Sequence, residues 1–141
     1  MKHSVTNRKF CKSERLCSQK VIAELFNTGT TMKQFPFKVV YSYCPFNQSP
    51  VKIAVGAPKK IYRKAVMRNC IKRKIREAYR QNKHILYDLL GYGSYTLNIM
   101  LVYVSSTVLS YVEIEKKLVQ TLSKLVEDLK KDADFHTGTV D

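Results

Sequence analysis

The sequence predicts a single α+β domain, a two-layer sandwich of helices on a sheet, in the order α-β-β-β-α-β-α. Its 141 residues suffice for one hydrophobic core but not for two independent ones. Hydrophobic residues make up 45% of the chain, which is too many for a disordered basic tail. Segments with helical periodicity alternate with short runs of β-branched and aromatic residues, and this pattern indicates a sheet covered by helices.

The first elements are a helix over residues 18–28 and a strand over residues 37–43. The apolar residues of the helix fall on one stripe, Val21, Ile22, Leu25 and Phe26. Gly29 follows as a typical stop. In the strand the odd positions share one face. Residues 51–55 form another strand, and the Pro- and Asn-containing turn between the two strands favours a hairpin.

A basic segment, residues 59–83, comes next and is predicted to be helical from Ala65 onward. It holds 11 basic residues and one acid, a net of +10 out of the chain's +14. At about 100° per residue, its polar and apolar residues fall on opposite arcs of the helix. The polar arc contains Arg68, Asn69, Lys72, Arg73, Arg76 and Arg80. The apolar arc contains Met67, Ile71, Ile75 and Ala78.

The last elements are a strand over residues 95–104 and a helix that begins after Ser110. The strand is apolar on both faces, which is typical of a covered central strand. Residues 110–113 have the form of a capping box, which marks the start of a helix. We therefore expect a mobile basic arm (1–12), a single folded domain (13–131) and a flexible polar tail (132–141).

Several kinds of site are absent from the sequence. The four cysteines form no CxxC pair and the three histidines are scattered, so we expect reduced thiols and no metal site on the protein. The five glycines form no phosphate-binding loop, and no small-molecule cofactor is expected. No apolar stretch reaches the length of about 20 residues that spans a bilayer. The basic N-terminus lacks the apolar region of a secretory signal, which favours a cytoplasmic protein without a membrane partner.

The composition of the basic helix favours binding to a polyanion. Like charges four residues apart, as at Arg68 and Lys72, each destabilise a helix by up to about half a kcal/mol. A helix face that is merely exposed to solvent usually carries both positive and negative side chains, whereas Glu77 is the one acid in this segment. A nucleic acid would offset these penalties. Two assignments stay open: Asn69 either contacts RNA or satisfies the first helical turn, and the aromatic strand face either stacks bases or is core.

Residues 59–80 resemble the signature of the bacterial ribonuclease P protein component. That pattern is a Lys-Lys pair, a basic residue, then Arg-Asn-x-x-Lys-Arg-x-x-Arg-Glu. The matching positions are Lys59, Lys60, Lys64, Arg68, Asn69, Lys72, Arg73, Arg76 and Glu77. The likeness extends more weakly over residues 15–130. Two departures are Cys70, where a basic residue is common, and Ile22, which replaces the first aromatic of an F-x-x-x-F spacing.

The resemblance implies a fold in which the basic helix makes a left-handed crossover, against the usual right-handed rule. It also implies a protein subunit that joins the catalytic RNA of ribonuclease P and helps to remove the 5′ leader of precursor tRNA. The RNA and its bound Mg²⁺ would perform the hydrolysis, and the polypeptide alone would be inactive.

Two sets of site residues follow from this implied function. We expect contact with RNA from Lys59, Lys60, Lys64, Arg68, Asn69, Lys72, Arg73, Arg76 and Arg80. We expect a leader-binding cleft between the first helix and the sheet to involve Arg15, Ile22, Phe26, Phe37 and Tyr41.

Two other functions remain as alternatives. A non-catalytic RNA-binding module would use the same basic helix but would not depend on precursor tRNA or on a catalytic RNA. An autonomous nuclease would need an acid–base or metal site on the protein, and Glu77 and Asp88 are too isolated to form one.

Overall fold

The structure is a computed structural model that describes residues 12–46, 48–90 and 95–140; for residue 90 and residues 132–140 it describes the backbone alone. In chain order the elements are a 3-10 turn (Lys12–Glu14), α1 (Gln19–Thr28), β1 (Thr30–Gln34), β2 (Phe37–Pro45), β3 (Val51–Gly56), α2 (Ala65–Asn82), α3 (His84–Leu90), β4 (Tyr95–Tyr103) and α4 (Tyr111–Val140). The predicted α+β class is confirmed. The short helix α3 is an addition that the sequence pattern did not predict.

The four strands form one mixed sheet in the order β1-β2-β4-β3. β2 pairs antiparallel with both β1 and β4, whereas β3 pairs parallel with β4. The predicted hairpin of β2 and β3 is therefore wrong, because β4 lies between these two strands. α2 and α3 connect the parallel neighbours β3 and β4, and the left-handed sense of this crossover stays a prediction.

One face of the sheet carries the main core. Phe37, Val39 and Tyr41 of β2 are buried there in one cluster with residues of α2, α3 and α4. Both Ile71 and Ile75 of α2 are fully buried in the same cluster. Residues 96–99 of β4 are all buried, which agrees with its predicted central position.

Helix α1 packs on the opposite face of the sheet. Its residue Leu25 forms a second, smaller core with Leu16 and with Val40 of β2. The helix begins after Ser18, whose hydroxyl accepts a hydrogen bond from the Val21 N–H at 3.3 Å. It ends at Gly29, where a Cβ atom would lie 2.5 Å from the carbonyl oxygen of Leu25. The same atom would lie 2.8 Å from the Cγ1 atom of Val40 on β2, so only a glycine allows this close approach of the helix end to the sheet.

The predicted arm and tail lie at the two ends of the chain. Residues 1–11 of the predicted arm lie outside the described residues, and Lys12 begins the 3-10 turn. Ser110 caps α4 as predicted, with its Oγ accepting from the Glu113 N–H at 3.3 Å. The backbone of α4 continues to Val140, while the flexibility of residues 132–141 stays a prediction. No helix within the described ranges is both long and apolar enough to cross a bilayer.

Candidate nucleic-acid interface

Helix α2 separates its cationic arc from its packing face, as predicted. Its buried residues are Ile71, Ile75, Ala78 and Tyr79. Its opposite arc exposes Asn69, Arg73 and Arg76, with Lys72 partly exposed beside them. Asn69 does not cap the helix, because the helix already begins at Ala65. Met67, which was predicted to pack, is 38% exposed and precedes the first fully buried residue of the helix.

Arg68 uses its guanidinium group within the protein. Its Nη1 donates to the carbonyl oxygens of Tyr62 and Arg63, each at 2.8 Å. These two bonds fold the side chain back onto the loop that precedes α2. Arg68 therefore holds this loop in place, which is a role that the sequence motif alone does not distinguish from contact with RNA.

The loop before α2 presents the other predicted cations. Lys59, Lys60 and Lys64 are exposed on it. The side chain of Tyr62 anchors the loop, since it is 8% exposed and its hydroxyl donates to the Ser105 carbonyl at 2.8 Å. Burial, with a smaller contribution from Tyr103, raises the pKa of the Tyr62 phenol above its ordinary value of 10.0. The phenol is thus neutral at physiological pH and remains a hydrogen-bond donor.

Arg80 is held by the acid of this helix. Its Nε and Nη2 donate to the two carboxylate oxygens of Glu77 at 3.0 and 2.6 Å. Gln81 donates a third bond to Glu77. The bond from Arg80 first, and that from Gln81 second, lower the pKa of Glu77, so the carboxylate stays ionised. Arg80, predicted as an RNA contact, is therefore partly neutralised by its neighbour.

A cleft of about 990 Å³ lies between α1 and the uncovered part of the sheet. Among the residues that the structure describes, the cations lining it are Lys12, Arg15 and Lys52. Ser42 and Asn98 supply polar groups from the sheet, and Glu24 of α1 also lines the cleft. The lining therefore combines positive charge with neutral donors and acceptors, which suits a strand of RNA better than an apolar ligand.

The structure brings together only part of the predicted leader-binding set. Arg15 lines the cleft, and Ile22 lines a neighbouring cavity of about 260 Å³. Phe26 is 49% exposed and lines neither cavity. Phe37 and Tyr41 are 1% and 4% exposed in the main core, on the other face of the sheet. The assignment of these two aromatic residues to the cleft is corrected, because strand alternation turns them away from it.

A buried ion pair fixes the segment that carries Lys12 and Arg15. The Lys83 Nζ lies 2.7 Å from the Glu14 Oε2, with both side chains under 10% exposed (4% and 8%). The Tyr87 hydroxyl donates to the same carboxylate oxygen at 2.7 Å. The backbone of Arg15 also forms a bridge with Ile53 of β3. The N-terminal wall of the cleft is thus attached to both the sheet and the start of α3.

The sequence analysis missed cleft residues such as Lys12, Ser42, Lys52 and Asn98. For Ser42 a signal was present in β2, where positions 42 and 44 are polar or small while positions 37, 39 and 41 are apolar. Within the described ranges, no group of three or more His, Cys, Asp or Glu side chains could hold a metal ion.

The chain was compared with known families and proteins. The model of the Ribonuclease P family matches residues 10–126. A Porphyromonas gingivalis protein named ribonuclease P protein component is 32% identical over 123 residues, which cover 86% of this chain and 90% of that protein. A Chlorobaculum tepidum protein of the same name is 36% identical over 77 residues, covering 52% of this chain and 50% of that protein.

Solved structures share the fold. The RNase P protein from Thermotoga maritima aligns with a TM-score of 0.62 at 20% identity, covering 79% of this chain and 96% of that one. The Staphylococcus aureus RNase P protein gives 0.56 at 19% identity, with 82% and 96% covered. At such identities the likeness supports the fold alone. The match of the family model over most of the sequence, together with the Porphyromonas relative, shows that the chain belongs to the ribonuclease P protein component family, which serves the processing of tRNA 5′ ends.

Proposed function

We propose that this protein binds the catalytic RNA of ribonuclease P and the 5′ leader of precursor tRNA at two adjoining surfaces. The basic surface consists of Lys59, Lys60, Lys64, Asn69, Lys72, Arg73 and Arg76, and it contacts phosphates of the catalytic RNA. The cleft beside α1 holds the single-stranded leader. The RNA, with Mg²⁺ held by RNA and substrate, performs the hydrolysis in the cytoplasm, and the polypeptide alone is inactive.

The observation that carries this proposal is the adjacency of the two surfaces. Arg15 lines both the cleft and the smaller cavity, and Arg76 of the basic helix lines that same smaller cavity. A leader lying in the cleft would therefore meet positive charge that continues onto α2. A protein that has to hold catalytic RNA and substrate together needs such a continuous surface.

The physical effect of this surface is the replacement of counterions. Lysine and arginine release the cations condensed on RNA when they bind phosphates, so less Mg²⁺ is needed to hold RNA and substrate together. Each arginine of the arc can also donate two parallel hydrogen bonds to one phosphate. The affinity of the protein for RNA should fall steeply between about 50 and 200 mM salt. An affinity that is flat over this range would contradict the electrostatic account.

The decisive experiment measures cleavage of a leader-bearing precursor tRNA at low Mg²⁺ by a bacterial ribonuclease P RNA, with and without this protein. We expect a large increase in rate that is reduced by the double substitution Lys60→Ala with Arg73→Ala. Lys124→Ala is the control, because it removes a charge from an exposed position of α4 that lines neither cavity. It should leave the rate increase intact.

The alternatives give different results in the same assay. Tight binding to RNA without any increase in rate would indicate a non-catalytic RNA-binding module. Cleavage by the protein alone would indicate an active site on the polypeptide. The chain's membership of the ribonuclease P family favours the proposed function over both alternatives.

A further inference from the structure

The smaller cavity, of about 260 Å³, lies where the cleft meets the basic helix. Its lining includes Arg15, from the segment before α1, and Arg76 of α2. Its wall includes the partly buried apolar residues Ile22, Ala54 and Met100. The sequence analysis had assigned Arg15 to the leader and Arg76 to the catalytic RNA, so their position at one cavity was not expected.

Both arginines are exposed, but the backbone beneath each of them is fixed. The N–H of Leu16, next to Arg15, donates to the Ile53 carbonyl oxygen at 3.0 Å. Arg76 follows Ile75, which is fully buried in the main core. The backbone that carries both arginines is thus fixed beside the cavity, without having to be ordered upon binding.

The charge at this cavity is one-sided. Among the described residues that line it, none is acidic. An anion at this cavity would be attracted by both arginines. A phosphodiester suits this position because each arginine can donate a forked pair of hydrogen bonds to its oxygens.

The apolar wall indicates what accompanies the phosphate. An apolar surface lies next to the arginines and is formed by Ile22, Ala54 and Met100. The flat face of a nucleobase is also apolar and can pack against it. The volume suits a single nucleotide rather than a length of strand. Ile22 cannot stack as an aromatic ring does, so the base would be held by apolar contact and by the arginines beside it.

We propose that Arg15 and Arg76 together bind one nucleotide of the single-stranded leader, with its phosphate between the two guanidinium groups and its base against Ile22, Ala54 and Met100. This inference rests on the proposed function. It goes further by making Arg76 a substrate contact and by placing one nucleotide at the junction of the two surfaces.

The test uses the complete ribonucleoprotein and a series of precursor tRNAs, each with one neutral methylphosphonate linkage in its leader. At one linkage the neutral group should weaken binding to the wild-type complex by about tenfold, as for the loss of a charge-assisted hydrogen bond. The same linkage should have no further effect in Arg15→Ala or in Arg76→Ala. The double variant should bind the substrate no more weakly than the weaker-binding of the two single variants.

Arg73→Ala is the matched control, because Arg73 is exposed on the same arc but lines neither cavity. In this variant the sensitive linkage should keep its full effect. Arg76→Lys keeps the charge but loses the forked geometry, so it should retain part of the affinity. Because both arginines are exposed, the thermal unfolding of the variants should match the wild type, which separates binding from folding.

Three results would overturn the inference. One is that no leader linkage is sensitive; another is that sensitivity is lost in Arg15→Ala but kept in Arg76→Ala. Multiplicative losses in the double variant would also contradict a shared phosphate. If the protein still accelerates cleavage by the RNA in these cases, its role as the protein subunit stands, whereas absence of acceleration would refute the proposed function itself.

Discussion

Two ion pairs in the described part of the chain differ in almost every respect. Lys83 and Glu14 lie 2.7 Å apart, 4% and 8% exposed, and are 69 residues apart in the sequence. Arg80 and Glu77 lie 2.6 Å apart on one helix, 34% and 45% exposed. The Lys83 ammonium also lies 5.3 Å from the ring centre of Tyr87, whose hydroxyl binds Glu14. The first pair joins distant parts of the fold, and the second is local.

The two ion pairs have different consequences for RNA binding. Removing one partner of a buried pair leaves an uncompensated charge in the interior, and this costs far more than the loss of an exposed pair. The buried pair therefore sets the position of the N-terminal segment that lines the cleft. The exposed pair is screened by water, so it changes the local charge of the basic arc rather than the fold.

The largest expected effect is that of Lys83→Met. It leaves the Glu14 carboxylate buried without its cation, and we expect a loss of about 3–5 kcal/mol in the free energy of unfolding. Urea unfolding measures this loss, and faster amide hydrogen exchange over residues 12–16 would show where the structure loosens. The double variant Glu14→Leu with Lys83→Met replaces both charges by apolar groups and should be more stable than either single variant. Losses that simply add would contradict the coupling of the two charges.

An intermediate effect is expected at Arg68. Its side chain is partly exposed, like the second ion pair, but it bonds to the loop before α2 and so contributes to the fold, like the first. Arg68→Ala removes two hydrogen bonds to the loop carbonyls, and it should lower the free energy of unfolding by about 1–2 kcal/mol. Arg73→Ala, on the exposed arc of the same helix, should change stability by less than about 0.5 kcal/mol. Arg73→Ala should instead weaken RNA binding and reduce the salt slope by about one.

Thermal unfolding and RNA titration at several salt concentrations separate these two arginines. If Arg68→Ala unfolds at the wild-type temperature and only weakens RNA binding, then its bonds to the loop contribute little to the fold. In that case Arg68 would have to be counted with the exposed cations.

The elements of the fold were predictable where local pattern decides them. Helix α2 begins at Ala65 as predicted, because its apolar positions repeat at helical spacing. The order of strands was not predictable in the same way. Residues 51–56 pair with β4, which lies more than 40 residues further along the chain, and no local signal records that partner. The turn between β2 and β3 therefore suggested a hairpin that the fold does not form.

The site was predictable where a motif fixes the spacing of charges, and less so elsewhere. Phe37 and Tyr41 were assigned to the cleft for their ability to stack on bases, although strand alternation grouped them with the buried face. The polar neighbours on the other face, such as Ser42, line the cleft. The contacts of Arg68 and of Lys83 depend on the path of the backbone in three dimensions, so the sequence alone could not reveal them.

The smallest expected effect is that of Glu77→Gln in the exposed pair. The substitution removes the one negative charge of the basic segment and releases Arg80 from its carboxylate partner. We expect tighter binding to RNA by about two- to fivefold, with a steeper salt dependence. Glu127→Gln, at an exposed position of α4, is the matched control, because it also removes one negative charge. Unchanged or weaker RNA binding in Glu77→Gln would mean that Arg80 lies outside the interface.

The same substitution makes a prediction for pH. Hydrogen bonds from Arg80 and Gln81 lower the pKa of Glu77 below its ordinary value of 4.5, so the folded state favours the ionised carboxylate. The stabilisation is therefore fully present above pH 4.5 and is lost as the pH falls through the lowered pKa. Thermal unfolding should show the wild type slightly more stable than Glu77→Gln near neutral pH, and this small difference should shrink in acid. A difference that persists unchanged to the lowest pH would show that the ionised pair is not its source.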